Sequence, residues 1–198
     1  MLGKYFKAPD ESLRDRVPPG QYLAEGFPVM TYGDTPTRSP QDWTLRIWGL
    51  VEREVTLTWD DLQALPQREF TADFHCVTHW SKLDVVWRGV SILDVMAKAT
   101  IAPTATHIMQ HCDGGYSTNL PLGDFLREEN FLAHTLNGEL LPIDHGGPVR
   151  SVVPHLYAWK SAKWISGLEL LPADAPGFWE RNGYHKRGNP WDEERYSN

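Results

Sequence analysis

From Trp43 onward, apolar and polar positions alternate with the period of a half-buried strand. In WTLRIWGLV the side chains of Trp43, Leu45 and Ile47 fall on one face, and EVTLT resumes the alternation after a tight turn, which predicts a hairpin. Thr58-Trp59-Asp60-Asp61 has the spacing of a capping box, so a short helix opens there and ends by Pro66. REFTADFHCV predicts a further strand running into His75-Cys76. Ser91-Ile92-Leu93-Asp94 repeats the capping pattern ahead of the helix ILDVMAKAT. THIMQHC reads as a strand, GDFLREEN as a helix, and FLAHTLNGELLP as a strand with a turn at Asn137-Gly138. PVRSVVP and AKWISGLELL are β-branched and aromatic enough to be strands. Strands outnumber the short helices, so the fold class is α+β, with a mixed sheet or barrel-like core.

The alternation is missing before Trp43. Residues 1–40 are rich in Pro, Gly and charge and predict an extended N-terminal arm, fixed to the rest by Phe27, Val29 and Tyr32. The tail, 176–198, is aromatic and charged and is expected to pack on the domain formed by 41–175. At 198 residues the chain suits a single domain, and no repeat or low-complexity tract interrupts it.

Composition narrows the function classes. With 41% apolar and 23% charged residues the chain is an ordinary globular protein. A net charge of -7 disfavours nucleic acid as a partner. There is no membrane span and no apolar leader, so the expected location is cytoplasmic. Two cysteines make no disulfide framework and suit a reducing compartment. Nine tryptophans are read first as packing, Trp87, Trp159 and Trp164 among them. His107 fits a half-buried histidine in an apolar strand.

Three clusters carry candidate chemistry. The first is Asp73-Phe74-His75-Cys76-Val77-Thr78-His79-Trp80, where a cysteine at a strand end can be held as a thiolate if the flanking imidazoles donate to it. A thiolate is also a soft metal ligand. The alternative is a buried structural cysteine. The second is His111-Cys112-Asp113-Gly114-Gly115-Tyr116-Ser117-Thr118-Asn119, a polar Gly-Gly turn able to approach a ligand, or simply an exposed tip. The third runs from His145-Gly146-Gly147-Pro148-Val149-Arg150 to Trp159-Lys160-Ser161-Ala162-Lys163-Trp164. Here Arg150, Lys160, Ser161 and Lys163 suit a phosphate, and the Gly-Gly pair suits backbone approach to an anion. An ordinary solvated face is the alternative. Neither a GxxxxGK[ST] loop nor a GxGxxG fingerprint is present.

Taken in order, HCVTHWS, WRGVSILDVM, HCDGGYSTNLPL and NGELLPIDHGGPVRSVVPHLYAWKSAKWI resemble the molybdopterin-binding domain of the sulfite oxidase family, from about Phe27 to Leu171. The resemblance extends to small standalone bacterial members and to the catalytic subunit of the peptide-methionine-sulfoxide reductase. It implies a sulfite oxidase-like fold, a molybdenum–molybdopterin cofactor and Cys76 as the metal ligand. It further implies cofactor contacts at Thr31, Tyr32, Cys112, His145, Arg150, Ser161, Ala162 and Lys163, with Tyr116 as a catalytic donor on the substrate side. The activity implied is oxygen-atom transfer or two-electron redox on a small polar substrate. The electrons would pass through an external haem or flavin carrier, because the chain has no haem, iron–sulfur or flavin motif of its own.

Val-Thr-His-Trp-Ser after Cys76 departs from the arginine-rich anion site expected there. This turns the expectation from sulfite towards a sulfoxide or N-oxide, faced by His79, Lys82 and Tyr116. Two other readings stay open on the residues alone. One is a zinc hydrolase using His75, Cys76, His79, His111 and Cys112. The other is a non-catalytic interaction module.

Overall fold

The computed structural model describes residues 6–197, so the first five residues of the predicted arm and the last residue of the tail lie outside it. Twelve strands form two open mixed sheets. The first sheet contains β1 (Phe6–Lys7), β2 (Tyr22–Ala24), β5 (Gln67–Cys76), β6 (Trp80–Ser91), β9 (Phe131–Leu136), β10 (Glu139–Leu140) and β11 (Arg150–Val152). The second runs in the order β4 (Val55–Thr58), β3 (Thr44–Gly49), β12 (Ile165–Leu171), β7 (His107–Cys112) and β8 (Ser117–Pro121). β2 runs parallel to β6 and β3 parallel to β12, and the other pairings are antiparallel. Neither sheet closes on itself, so the barrel-like alternative resolves to open sheets.

The β3–β4 hairpin is as predicted. Trp43, Leu45 and Ile47 are buried, and Trp43 Nε1 donates to Ile165 O at 2.8 Å. Thr58 caps α1 (Trp59–Gln63) in a full capping box with Asp61. Ser91 caps α2 (Ile92–Met96) without the reciprocal bond, because Asp94 pairs with Arg68 instead. The helix predicted over GDFLREEN shrinks to α3 (Leu122–Phe125): the Asn130 side chain takes the carbonyls of Asp124 and Phe125, so the helical ladder stops.

The first sheet has an apolar core on each face. Along β9, Leu132 joins the cluster of Leu45, Ile47, Ile108 and Leu168, whereas Phe131 and Ala133 join that of Phe74, Trp80, Trp87 and Tyr157. A strand buried on both faces loses the apolar-polar alternation, as Phe131-Leu132-Ala133 does. The second cluster is the one that borders the site. Phe27, from the arm, packs into it against Phe74, Trp80 and Trp87. Trp179, in α4 (Phe178–Arg181), and Tyr184 reach it from the tail.

The arm is held differently from the expectation. Phe27 anchors it, but Val29 is 50% and Tyr32 69% exposed, and Tyr32 rests on Phe178 and Trp179 at the surface.

Candidate active site

β5 and β6 form a long hairpin whose tip is Val77-Thr78-His79. Cys76 is the last residue of β5 and pairs with Trp80. An irregularity between Ala72 and Phe74 resets the alternation so that Phe74 and Cys76 both line one cavity, while His75 is paired with Ser81. The cavity has a volume of about 190 Å³. Its wall is largely aromatic, from Phe27, Phe74, Trp80, Trp159, Trp179 and Tyr184.

The Cys76 sulfur lies 3.1 Å from Thr78 Oγ1. Burial pushes the thiol up, while Thr78 and the N–H groups of the turn oppose that shift. Neither neighbouring imidazole donates to the sulfur, contrary to the expectation. His75 Nδ1 is 2.8 Å from Ser81 Oγ, and burial lowers this ring's pKa to about 4; His79 Nδ1 is 2.8 Å from Gly20 O. His79 and Lys82, expected to face substrate, do not line the cavity. Lys82 Nζ instead donates to Glu25 O in the arm.

The cationic part of the wall comes from the third cluster. Arg150, at the start of β11, lies 5.1 Å from the Phe74 ring centroid and 5.4 Å from that of Trp87. Its guanidinium donates to the carbonyls of His145 (2.8 Å), Ser161 (3.0 Å) and Ser151 (3.3 Å). Burial pulls it below the ordinary guanidinium range, and it stays charged at neutral pH. Lys163 Nζ donates to Thr31 Oγ1 at 2.7 Å and to Asp144 O at 2.8 Å. Burial, then Arg150, lowers its pKa to about 8. Among the described residues neither cation forms an ion pair, so the cavity wall carries positive charge that the chain does not neutralise. His145 stacks on Phe27 with centroids 4.7 Å apart, and burial followed by Arg150 keeps its imidazole neutral.

Lys160, expected beside these cations, is turned away. It is fully buried in an ion pair with Glu180, 2.6 Å, and it also donates to Asn119 O. At the Gly146-Gly147 pair the chain itself leaves no room for a side chain. Gly146 has φ +107, and a Cβ there would sit 2.9 Å from Lys163 Cβ; a Cβ at Gly147 would run into Leu141 O.

Thr31, Tyr32, Cys76, Tyr116, His145, Arg150, Ser161 and Lys163 are thus gathered around one cavity. Cys112 and Ala162 are buried outside its lining, with Ala162 N donating to Ser151 Oγ at 2.7 Å. Ser161 Oγ accepts from Val153 N. Tyr116 lines the cavity, yet its hydroxyl donates to Trp159 O at 2.6 Å, and burial pushes its pKa well up. Trp159 and Trp164, read as packing, line the cavity too. Trp179 and Tyr184 were missed because an aromatic tail has no spacing that points to a distant cavity. The donors of the zinc reading are scattered: His111 Nε2 lies 2.8 Å from Glu169 Oε2, and no group of three or more possible metal-ligating side chains occurs among the described residues.

These residues fit a phosphate-bearing, largely aromatic cofactor. Three of the five guanidinium N–H groups of Arg150 are used, which leaves two for an anion. The buried Trp80 Nε1 in the cavity wall has no partner. The apolar walls suit a flat ring system.

The oxidoreductase molybdopterin binding domain family matches residues 32–179 of the chain. An uncharacterized oxidoreductase, YuiH, of Bacillus subtilis (strain 168) is 47% identical over 183 residues, 92% of each chain. The protein-methionine-sulfoxide reductase catalytic subunit MsrP of Gluconobacter oxydans (strain 621H) is 30% identical over 177 residues, 78% of this chain and 56% of the relative. Among solved structures, the sulfane dehydrogenase SoxCD from Paracoccus pantotrophus has a similar fold, with a TM-score of 0.67 at 23% identity over 79% of this chain and 46% of its own.

Proposed function

We propose, for a chain that belongs to the oxidoreductase molybdopterin-binding domain family, that Cys76 is the protein ligand of its molybdenum and that the enzyme transfers an oxygen atom from a small sulfoxide or N-oxide. Membership makes the protein a molybdopterin-dependent oxidoreductase, which sets aside the zinc-hydrolase and interaction-module readings. The observation that carries the site assignment is the cavity itself, where a single thiol and two unneutralised cations share one aromatic-walled space.

When bound, the molybdenum–molybdopterin group supplies a two-electron redox change coupled to transfer of one oxygen atom. The chain's own residues hold and orient that group. Cys76 offers a thiolate at the end of a rigid strand. Arg150 and Lys163 bind the cofactor phosphate, with Ser161 beside them as a hydroxyl donor. Neutral His145, stacked on Phe27, and Thr31 and Tyr32 of the arm orient the pterin. Cys112 and Ala162 act from behind the wall, keeping Arg150 and Ser161 in place. Tyr116 sits at the substrate side, and its hydroxyl must leave Trp159 O before it can donate to a substrate oxygen.

The substrate class is supported by the hairpin tip, which brings no arginine to the cavity and leaves Arg150 as the only guanidinium among the lining residues. A dianion such as sulfite would meet an apolar, aromatic wall near Cys76, whereas a neutral S=O or N–O group would not need a second arginine. The electrons come from an external haem or flavin carrier. A cytoplasmic location belongs to the same reading, supported by two unbridged thiols.

Expression in a host that makes molybdopterin tests the assignment. We expect one molybdenum per wild-type chain and none in Cys76→Ala, with methionine sulfoxide or an N-oxide reduced faster than sulfite is oxidised by the wild type. Full molybdenum in Cys76→Ala would refute the ligand assignment, and rapid sulfite oxidation would refute the substrate class.

A further inference from the structure

The family match ends at residue 179, yet the chain beyond it returns to the Cys76 turn. His185 N bonds Arg195 O, Ser197 N bonds Gly183 O, and Tyr184 and Tyr196 form an isolated bridge, so the tail folds back along itself. This places Arg195 against the hairpin tip. Its Nη1 donates to Val77 O at 2.6 Å and its Nη2 to Pro19 O at 3.4 Å, and its guanidinium lies 5.0 Å from the centroid of the Tyr157 ring. Arg195 is 7% exposed, and its carboxylate neighbour, Glu193, is half exposed and 3.7 Å away. On the same turn the buried Gln21 donates from Nε2 to Cys76 O at 3.0 Å.

The two grips share a geometry. A peptide unit is planar, with its C=O and the next residue's N–H on opposite edges. Gln21 therefore fixes the plane that carries Val77 N–H, and Arg195 fixes the plane that carries Thr78 N–H. The second plane also sets the position of Thr78, whose Oγ1 lies 3.1 Å from the Cys76 sulfur.

We infer that Arg195 is a positioning residue for Cys76: its buried guanidinium locks the Val77–Thr78 peptide by its oxygen and so holds the Thr78 hydroxyl against the sulfur. The inference rests on the reading of Cys76 as the molybdenum ligand. Groups that draw electron density from a ligating sulfur lower its donation to the metal and raise the centre's potential. The end of the chain outside the matched family segment thereby tunes the chemistry inside it.

Holoenzyme carrying Arg195→Gln or Arg195→Lys provides the test, read by molybdenum content, thermal melting, midpoint potential and the Mo(V) paramagnetic signal. We expect Arg195→Gln to keep its metal, to show a lower potential and a shifted Mo(V) signal, and to lose about tenfold in kcat with little change in KM. Arg195→Lys keeps the charge without the planar fork, so it should recover most of the potential but not the wild-type signal. A metal-replete Arg195→Gln with wild-type potential and signal would overturn the inference, even if its melting temperature fell. Should Arg195→Gln fail to fold, an unshifted signal in Arg195→Lys overturns it and a shifted one supports it. Wild-type enzyme without molybdenum would instead defeat the Cys76 reading and this inference together, and metal content alone separates that result from the others.

Discussion

At Lys163 two effects oppose each other. Thr31 Oγ1 and the Asp144 carbonyl hold the ammonium at the cavity wall, while burial there, with Arg150 near by, lowers its pKa to about 8 from an ordinary 10.5. The proton therefore leaves as pH rises through about 8: the site's positive charge is nearly complete at pH 7 and reduced at pH 9. We expect cofactor-free protein to bind molybdopterin more tightly at pH 7 than at pH 9, by about tenfold, or roughly 1.4 kcal/mol. Lys163→Met should bind weakly at both and lose that pH step, with pterin fluorescence retained after dialysis as the measure. Equal retention by the wild type at both pH values would show that Lys163 does not hold the phosphate. Cys76, Arg150 and Lys163 were candidates beside blander alternatives, a buried thiol and a solvated face, and all three line one cavity. Lys160 shows the limit. It sits three residues from Lys163 with the same chemistry, and only its burial against Glu180 separates a structural ion pair from a ligand contact.

Elements were legible where local pattern and tertiary demand agree. The β3–β4 hairpin and the Thr58 cap depend on neighbours in sequence, and both were predicted from period and spacing. The helix over GDFLREEN was overestimated, because the side chain of its own last residue, Asn130, takes the carbonyls of Asp124 and Phe125 and ends it. The arm is a different case. From residue 25 to 38 it has no backbone–backbone hydrogen bond among those described, and its attachments are side-chain ones: Phe27 in the aromatic cluster, Thr31 on Lys163, Tyr32 on Phe178 and Arg38 on Asp113. Amide protons there should exchange quickly in cofactor-free protein and slow when molybdopterin binds under Thr31 and Tyr32, as read by hydrogen–deuterium exchange. Slow exchange with no change on binding would mean that the arm is already rigid and makes no cofactor contact.

On the scale of the whole molecule the tail is tied in by the buried Lys160–Glu180 pair, which also takes bonds from Trp159 Nε1 and Thr118 Oγ1. Burial lowers the pKa of the Lys160 ammonium, and Glu180 counters that. Glu180→Gln would leave a buried cation unpaired and should cost about 3–5 kcal/mol in urea unfolding. Pairing it with Lys160→Met should recover most of that loss, which a double-mutant cycle measures; additive costs would argue that the two side chains do not depend on each other. By itself the amino-acid sequence determined the α+β class, a local hairpin and a capped helix, because these follow from periodicity and capping within short windows, while the residues of a molybdopterin site were named by the ordered resemblance to a family. Only the tertiary structure decided which of those residues meet. It brought the arm, the hairpin tip and the tail around one cavity, turned Lys160 and His79 away from it, and placed Gln21 and Arg195 on the peptides of the Cys76 turn. Those contacts join residues more than 50 positions apart. Long-range pairing of that kind is set by sheet topology and core packing, which no local pattern encodes.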